Sequence, residues 1–327
     1  MRWGLIARSE RDRGLGIQTK AMYDNLHPDK TLVVINRKSG FESHPEDYPD
    51  ATVIDFRIEH GYWKFEGGTD KIRDWWADLD VVVTVETLYD WSLADLARAD
   101  GVRTVVHGNP EFWMETNPQP DVWWWPTTWR TEHLPYGKIV PVPVPDGPSW
   151  SDAHVAFDGP LKVTHVAGSG AMEDRNGTLE VLNAKRRLPG IQISIYDQKS
   201  APVADRFDMY RGHHALVLPR RYGGLCLPAL EAMASGLVVL MPDCSPNRDW
   251  PIVPLYCEPG KVVHMQTGPV QLHAVYPRTI MDVLKGLDNN RAMLHEIHRT
   301  TADWAQRNTW TMLKEVYHRE IAIASRI

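Results

Sequence analysis

Residues 215–241 decide the fold of this chain: Ala215-Leu-Val-Leu-Pro-Arg-Arg-Tyr-Gly-Gly-Leu-Cys-Leu-Pro-Ala-Leu-Glu-Ala-Met-Ala-Ser-Gly-Leu-Val-Val-Leu-Met241. The apolar runs at 215–218 and 237–241 predict two strands buried on both faces. The helix formers at 227–234 predict a helix between them. A strand, a glycine turn and a helix N-terminus form an anion site, because free backbone N–H groups and the helix dipole favour negative charge.

The turn between this strand and this helix carries the residues that we expect to bind phosphate. Gly223 and Gly224 let a ligand approach the backbone closely. Arg220 and Arg221 offer bidentate contacts to phosphate oxygens. Glu231, one turn into the helix, offers an acceptor for ribose hydroxyls. The predicted ligand is therefore a nucleotide diphosphate.

The same stretch resembles the donor-site signature of retaining GT-B glycosyltransferases of the family-four group, Glu-Gly-Phe-Gly-Leu-Pro-x-x-Glu-Ala-Met-Ala-x-Gly-x-Pro-Val. The matching positions are Gly224, Leu227, Pro228, Glu231, Ala232, Met233, Ala234, Gly236 and Val239. Gly223 replaces the first family glutamate, which meets the transferred sugar, and Cys226 replaces the second family glycine. The resemblance implies that Glu231 binds the donor ribose and that Gly223, Gly224, Leu225 and Cys226 line the donor site. The sequence of residues 219–228 is similar to that of a bacteriophage-encoded branch of these glycosyltransferases.

Length and composition bound the class of protein. The chain has 327 residues, 43% of them hydrophobic and 24% charged, which fits about two globular domains of roughly 150 residues. Its net charge of −6 argues against a generally basic nucleic-acid surface. Cys226, Cys244 and Cys257 lack metal-ligand spacing, so no metal is expected, and an odd, sparse count indicates a reducing cytosol. No apolar run reaches the ~18 residues that span a bilayer. We expect a cytoplasmic protein (the host cytoplasm if phage-encoded) with no membrane partner.

Strands alternate with helices in both halves, which predicts an α/β fold with parallel, doubly wound sheets. A proline-rich join near 145–151 predicts two Rossmann-like domains, an acceptor-side domain over 1–147 and a nucleotide-sugar-binding domain over 148–309. The resemblance implies the GT-B arrangement, in which the two domains face a central cleft. It also implies a last helix, here within 310–327, that crosses back to the first domain.

Two groups of candidate residues lie in the first half. Gly14 and Gly16 follow the first strand and form either a tight turn or, as the resemblance implies, a loop over the donor phosphates and sugar. His107 ends a later strand. It is either a buried histidine hydrogen-bonded to the backbone or, by the resemblance, a neighbour of the transferred sugar. The tryptophans at 123–125 form either core or an aromatic platform for a base or sugar ring.

Further donor-site candidates lie in the second half. Arg175 stands at the family's diphosphate-binding step, where Asn176 replaces the usual lysine; a solvated arginine at a helix start is the alternative. Tyr196 and the following Gln198-Lys199 end a strand where the family binds the nucleobase by backbone and stacking contacts. A glycine turn at 168–170 follows the first strand of this half.

Some segments carry only local patterns. The sequence predicts a helix over 203–210, a helix over 176–188 and a short helix capped by Thr127 and Thr128 and running to Leu134. It predicts an irregular segment over 251–277.

We infer a metal-independent glycosyltransferase that uses a nucleotide-diphosphate sugar, with a UDP-sugar as the first donor to test. Arg175, Arg220 and Arg221, with helix amides, would stabilise the departing diphosphate. Retention of configuration is implied by the resemblance alone. The first acceptor hypothesis is a hydroxymethylated pyrimidine in phage DNA. The alternatives are a hydroxyl of a glycan, protein or small molecule, a GT-B nucleotide-sugar epimerase, and a nucleotide-binding module without catalysis. The oligomeric state stays open.

Overall fold

The computed structural model describes residues 1–36, 42–59, 62–65, 69–145, 159–167, 174–197, 203, 205–265 and 268–327. The chain forms two compact units. Unit 1 comprises Met1–Val142 together with Leu313–Ile327, and unit 2 comprises Pro143–Met312. The predicted join lies mostly outside the described residues, because 146–158 are not among them.

Unit 1 is built on an eight-stranded sheet. Its strands are β1 (Trp3–Ala7), β2 (Lys30–Ile35), β3 (Thr52–Glu59), β4 (Tyr62–Phe65), β5 (Val81–Glu86), β6 (Arg103–Gly108), β7 (Val122–Trp125) and β8 (Lys138–Ile139), and its first three helices are α1 (Gly14–Leu26), α2 (Asp70–Trp76) and α3 (Ser92–Ala99). The strand order is β4-β3-β2-β1-β5-β6-β7-β8. Every neighbouring pair is parallel except β3 and β4. The first five residues of β5 are all buried, which explains why four of them are valines.

Unit 2 is built on a five-stranded parallel sheet and a two-stranded antiparallel ribbon. The strands are β9 (Lys162–Val166), β10 (Gln192–Tyr196), β11 (Ala215–Val217), β12 (Val238–Pro242) and β13 (Val253–Leu255), the ribbon is β14 (Glu258–Met265) with β15 (Gly268–Ala274), and the helices are α4 (Thr178–Lys185), α5 (Leu227–Ala234), α6 (Pro277–Asn289) and α7 (Arg291–Arg307). The sheet order is β10-β9-β11-β12-β13, an arrangement of doubly wound folds. The predicted α/β class with parallel sheets is confirmed.

The last helix, α8 (Trp310–Ala324), carries the chain from unit 2 into unit 1. The Tyr317 hydroxyl donates a hydrogen bond to the Pro141 carbonyl at 3.0 Å. The Lys138 ammonium forms an ion pair with the buried Glu320 carboxylate at 2.5 Å. Residues 313–324 are therefore part of the packing of unit 1.

Several predictions of local structure were wrong. The segment 251–277 is not irregular, since β13 and the β14–β15 ribbon occupy most of it. All eight residues of β14 are exposed or half-buried, so the sequence there lacks apolar alternation. The predicted helix over 203–210 is a single 3-10 turn at Arg206–Met209, and the short helix before Leu134 is a 3-10 turn at Thr131–His133. Helix α4 starts only at Thr178.

The tryptophans at the end of the first half belong to the core. Trp123, Trp124 and Trp125 are all buried, and the rings of Trp123 and Trp125 stack with centroids 4.7 Å apart. Their burial excludes the alternative of an open aromatic platform.

In the part of the chain that the structure describes, no helix combines the length and apolar character that a bilayer crossing requires.

Candidate functional site

The strand order places the candidate donor residues at one edge of the unit 2 sheet. Strands β9 and β11 are parallel neighbours, and the chain order reverses between them. Residues 218–226 follow β11 directly and so lie at its carboxyl end. Residues 174–177, which precede α4, are held beside them by the bond from the Arg221 backbone N–H to the Arg175 carbonyl. Such a switch point is where doubly wound sheets bind ligands.

Arg175 and Arg220 converge on Gly223 at this switch point. Gly223 has a φ of 122°, a conformation that favours glycine. A Cβ atom at Gly223 would overlap the guanidinium groups of both arginines. The Arg175 Nε donates to the Tyr222 carbonyl at 3.2 Å, and its guanidinium lies 4.8 Å from the centre of the Tyr222 ring. Arg220 is only 6% exposed and donates to the Leu225 carbonyl. Two positive charges are thus held side by side.

The start of α5 adds to this positive field. The helix begins at Leu227, directly after the loop, with Pro228 in its first turn. Cys226 at the N-cap makes no side-chain hydrogen bond to the first turn. The helix begins where the loop ends, so the positive end of the helix dipole and the free N–H groups of its first turn lie at the loop. The loop and helix together have the electrostatics of an anion site.

Arg221 differs from its neighbour in what it contacts. Its guanidinium forms an ion pair with Glu180 on α4 at 2.8 Å, and its Nε donates to the Asp174 carbonyl at 3.1 Å. Its backbone N–H donates to the Arg175 carbonyl at 2.8 Å. The structure therefore brings Arg175 and Arg220 together at Gly223, whereas the Arg221 side chain joins the two loops to each other.

Glu231 is buried on α5 and is only 4% exposed. Its carboxylate accepts a hydrogen bond from the Tyr210 hydroxyl at 2.8 Å and forms an ion pair with Arg206 at 3.2 Å. Burial raises the pKa of Glu231, and Arg206 and Tyr210 oppose that rise. A carboxylate has about four lone-pair positions, so a ribose hydroxyl has acceptor positions beyond these two contacts.

Replacing Glu231 with glutamine is expected to weaken donor binding by about 1–3 kcal/mol, because a buried charged acceptor is lost. Isothermal titration calorimetry with the donor measures the change. Glu296→Gln, at an exposed position on α7, is the matched control. Equal donor affinity in the two variants would remove Glu231 from the ribose site.

Tyr196 ends β10 in a half-buried position, and its ring meets His213 edge-on with centroids 6.2 Å apart. Its predicted contact with the nucleobase stays a prediction. The glycine turn at 168–170 and the pair Gln198-Lys199 lie outside the described residues.

In unit 1, Gly14 is exposed at the start of α1, and Gly16 is buried within it. A Cβ at Gly16 would overlap the backbone of Glu10, so this glycine lets the helix lie against the loop that follows β1.

The loop that follows β1 also holds a buried ion pair between Arg8 and Glu10, which the sequence analysis did not predict. The Arg8 guanidinium also lies 5.7 Å from the centre of the Tyr89 ring. The only sequence signal is two opposite charges directly after a buried strand.

His107 lies at the end of β6 and is only 4% exposed. Its Nε2 donates to the Val140 carbonyl at 2.8 Å. Its ring meets the rings of Trp124 and Tyr317 edge-on, with centroids about 6 Å from it. This geometry matches the first of the two predicted interpretations, a buried histidine bonded to the backbone, and the contact with a sugar stays a prediction.

The free energy of unfolding is expected to fall as the pH drops from about 6.5 to 4. Burial lowers the pKa of His107, and of His165 on β9, to about 4. The unfolded chain titrates near 6.5 and so binds more protons in this window, which costs at most roughly 3 kcal/mol per histidine. Urea denaturation at pH 7 and pH 4.5 measures the difference. An unchanged difference in the His107→Gln variant would contradict this assignment.

No protein-family model matches the chain, and no curated protein matches it. Among solved structures, HepE from Anabaena in complex with UDP and glucose is similar with a TM-score of 0.66 at 10% identity, over 98% of this chain and 99% of that chain. The sucrose-phosphate synthase from Thermosynechococcus elongatus is similar with a TM-score of 0.64 at 13% identity, over 99% of this chain and 100% of that chain. The lipopolysaccharide outer core galactosyltransferase WaaB is similar with a TM-score of 0.61 at 14% identity, over 100% of both chains. This chain therefore has the fold of GT-B glycosyltransferases, and the predicted fold is confirmed.

Proposed function

We propose that this chain is a glycosyltransferase that takes a sugar from a nucleotide-diphosphate sugar, with a UDP-sugar as the first donor. The observation that carries the proposal is the convergence of Arg175 and Arg220 on Gly223 beside the start of α5. This pair lies at the switch point of a parallel sheet, with the buried carboxylate of Glu231 one turn into the same helix. A positively charged loop for phosphate and a buried carboxylate for ribose hydroxyls thus lie together at the strand ends. A nucleotide diphosphate requires this combination.

The chemistry follows from these charges. When the bond between the sugar's anomeric carbon and the diphosphate breaks, the acceptor oxygen bonds to that carbon and loses its proton, and negative charge develops on the departing diphosphate. Arg175, Arg220 and the α5 dipole are already in place, so they stabilise that charge without reorganisation. Arg221 contributes indirectly, because its contacts with Glu180 and the Asp174 carbonyl hold the two loops together.

The similar solved structures support a nucleotide-sugar donor. HepE was solved with UDP and glucose and with UDP-glucose, and a pneumococcal O-GlcNAc transferase with a TM-score of 0.55 was solved with UDP and GlcNAc. These ligands belong to those proteins. Here they indicate UDP-glucose and UDP-GlcNAc as the first donors to test.

The finer assignments rest on the resemblance of residues 219–239 to retaining, family-four enzymes and to the phage-encoded branch. On that basis we propose transfer with retention and, as the first acceptor, a hydroxymethylated pyrimidine in phage DNA. The net charge of −6 opposes tight DNA binding. A hydroxyl of a glycan, protein or small molecule is therefore tested in parallel.

The test proceeds in two steps. A thermal-shift screen across nucleotide sugars identifies the donor, because a bound ligand raises the apparent stability. Transfer of labelled sugar is then measured with hydroxymethylated DNA, plain DNA, a glycan panel and no acceptor. Transfer to an acceptor supports the proposal, and the anomeric configuration of the product tests retention. A new nucleotide sugar formed from donor alone would identify an epimerase, and tight donor binding without turnover a binding module; either outcome overturns the proposal.

A further inference from the structure

A cluster of three metal-ligating side chains lies in unit 2, apart from the arginine pair. The Sγ atoms of Cys244 and Cys257 and a ring nitrogen of His273 all lie within 4.8 Å of one another. The Cys257 Sγ is 3.9 Å from the His273 Nδ1. Cys244 is buried, and the other two are half-buried. We propose that this cluster binds one zinc ion.

The fold explains why these residues meet although their spacing in the sequence gives no signal. Strands β12 and β13 are parallel, with Pro242 opposite Leu255. Continuing this register by two residues places Cys244 opposite Cys257 beyond the strand ends. In the ribbon, His273 is opposite Pro259, two residues after Cys257. Three separate strands therefore deliver the three ligands to one edge of the sheet.

The ligand chemistry favours zinc. Thiolates with imidazole form typical zinc sites, whereas Mg²⁺ and Ca²⁺ prefer oxygen ligands. Zn–S and Zn–N bonds of about 2.3 and 2.0–2.1 Å place two ligand atoms of a tetrahedral ion about 3.5–3.8 Å apart. The observed separations need side-chain shifts of about 1 Å or less to reach this geometry. With three protein ligands, the fourth position falls to water.

The surroundings of the cluster suit a zinc–thiolate site. The Asn247 amide donates to the Cys244 Sγ at 3.6 Å, the kind of outer hydrogen bond that orients a metal ligand. The neighbouring charges of Asp243 and Arg248 form an ion pair at 2.7 Å, so they largely neutralise each other near the site.

The site is also connected to the arginine loop, the segment 218–226 that carries Arg220 and Arg221. The backbone N–H of His273 donates to the Arg221 carbonyl at 2.9 Å. Zinc bound to Cys244, Cys257 and His273 would fix the β14–β15 ribbon to the ends of β12 and β13. It would thereby hold the ribbon against the loop that carries Arg220 and Arg221. Holding the ribbon in this way does not depend on the proposed transfer reaction.

The test measures zinc in the full-length, folded chain kept reduced with a phosphine. After equilibration with zinc and removal of the excess, elemental analysis is expected to find about one zinc per chain. Cys257→Ser and His273→Gln change half-buried positions and are expected to weaken zinc affinity by more than about 100-fold, since even losing an outer-shell partner costs about 10- to 100-fold. Cys244→Ser is expected to do the same. Circular dichroism checks that each variant is folded.

Two matched variants serve as controls for zinc content. Cys226→Ser removes the third cysteine, and His264→Gln removes an exposed histidine from the same ribbon; both are expected to retain zinc. Cobalt(II) provides a second readout, because its thiolate charge-transfer absorption should appear in the parent chain and be lost in Cys257→Ser. A reduced, folded parent chain without zinc would overturn the proposal, as would equal zinc in cluster and control variants. A Cys244–Cys257 disulfide that forms without reductant, together with no zinc uptake after reduction, would identify a redox pair and also overturn it.

Discussion

Replacing Arg220 with alanine is expected to lower kcat/KM about 100- to 1,000-fold, the cost of removing one preorganised donor to developing negative charge. Arg220 is buried, lies against Gly223 and donates to the Leu225 carbonyl. Its charge is therefore fixed before the reaction, and water cannot replace it in the same position. Steady-state kinetics with the donor identified by thermal shift measures the effect.

Three companion variants separate electrostatics from folding. Arg220→Lys keeps the charge without the planar fork, so its loss of activity should be intermediate. Arg221→Ala removes the ion pair to Glu180. It should lower the melting temperature and have only a small effect on kcat. Arg278→Ala, at an exposed position on α6, is the control and should leave both unchanged. If Arg220→Ala lowers only the melting temperature, Arg220 is structural.

Replacing Gly223 with glutamate, which restores the residue of the family signature, is expected to abolish activity instead of improving it. The φ of 122° costs about 1–3 kcal/mol for a residue with a Cβ. The new side chain would also overlap the guanidinium groups of Arg175 and Arg220 and neutralise part of their charge. We expect kcat/KM to fall more than about 1,000-fold, because both arginines are displaced at once.

Gly223→Ala separates the steric effect of a side chain from the effect of its charge, because it adds only the Cβ. This variant should already show most of the loss in kcat/KM. Gly286→Ala, in open space on α6, is the matched control; it should stabilise the chain by up to about 1 kcal/mol and leave kinetics unchanged. An active Gly223→Glu variant would show that the two arginines do not occupy the donor site in the way that we propose.

The arginine loop shows how far a local pattern reaches. Strand, glycine turn and helix are each specified by adjacent residues, so the sequence predicted all three correctly. The sequence could not separate Arg220 from Arg221, because the difference depends on Glu180, which lies 41 residues away in the chain. The overlap of a side chain at Gly223 with a guanidinium group, which would have to move, likewise depends on Arg175 from another loop.

The zinc cluster and the ribbon could not be predicted from the sequence for the same reason. Spacing rules for metal sites detect ligands that share one turn or hairpin. Here the ligands come from two strand ends and a ribbon, and only the strand register brings them together. The ribbon strand β14 buries little of its surface, so its pairing leaves no apolar alternation to detect.

The path of α8 has a practical consequence for dissecting this chain. Because unit 1 includes both 1–142 and 313–327, a fragment that stops at residue 142 lacks Tyr317 and Glu320. It would leave the Pro141 carbonyl, Lys138 and the ring of His107 without the partners that α8 supplies. Expressing unit 1 separately therefore requires the tail to be supplied, either by a short linker that replaces unit 2 or as a peptide added in trans.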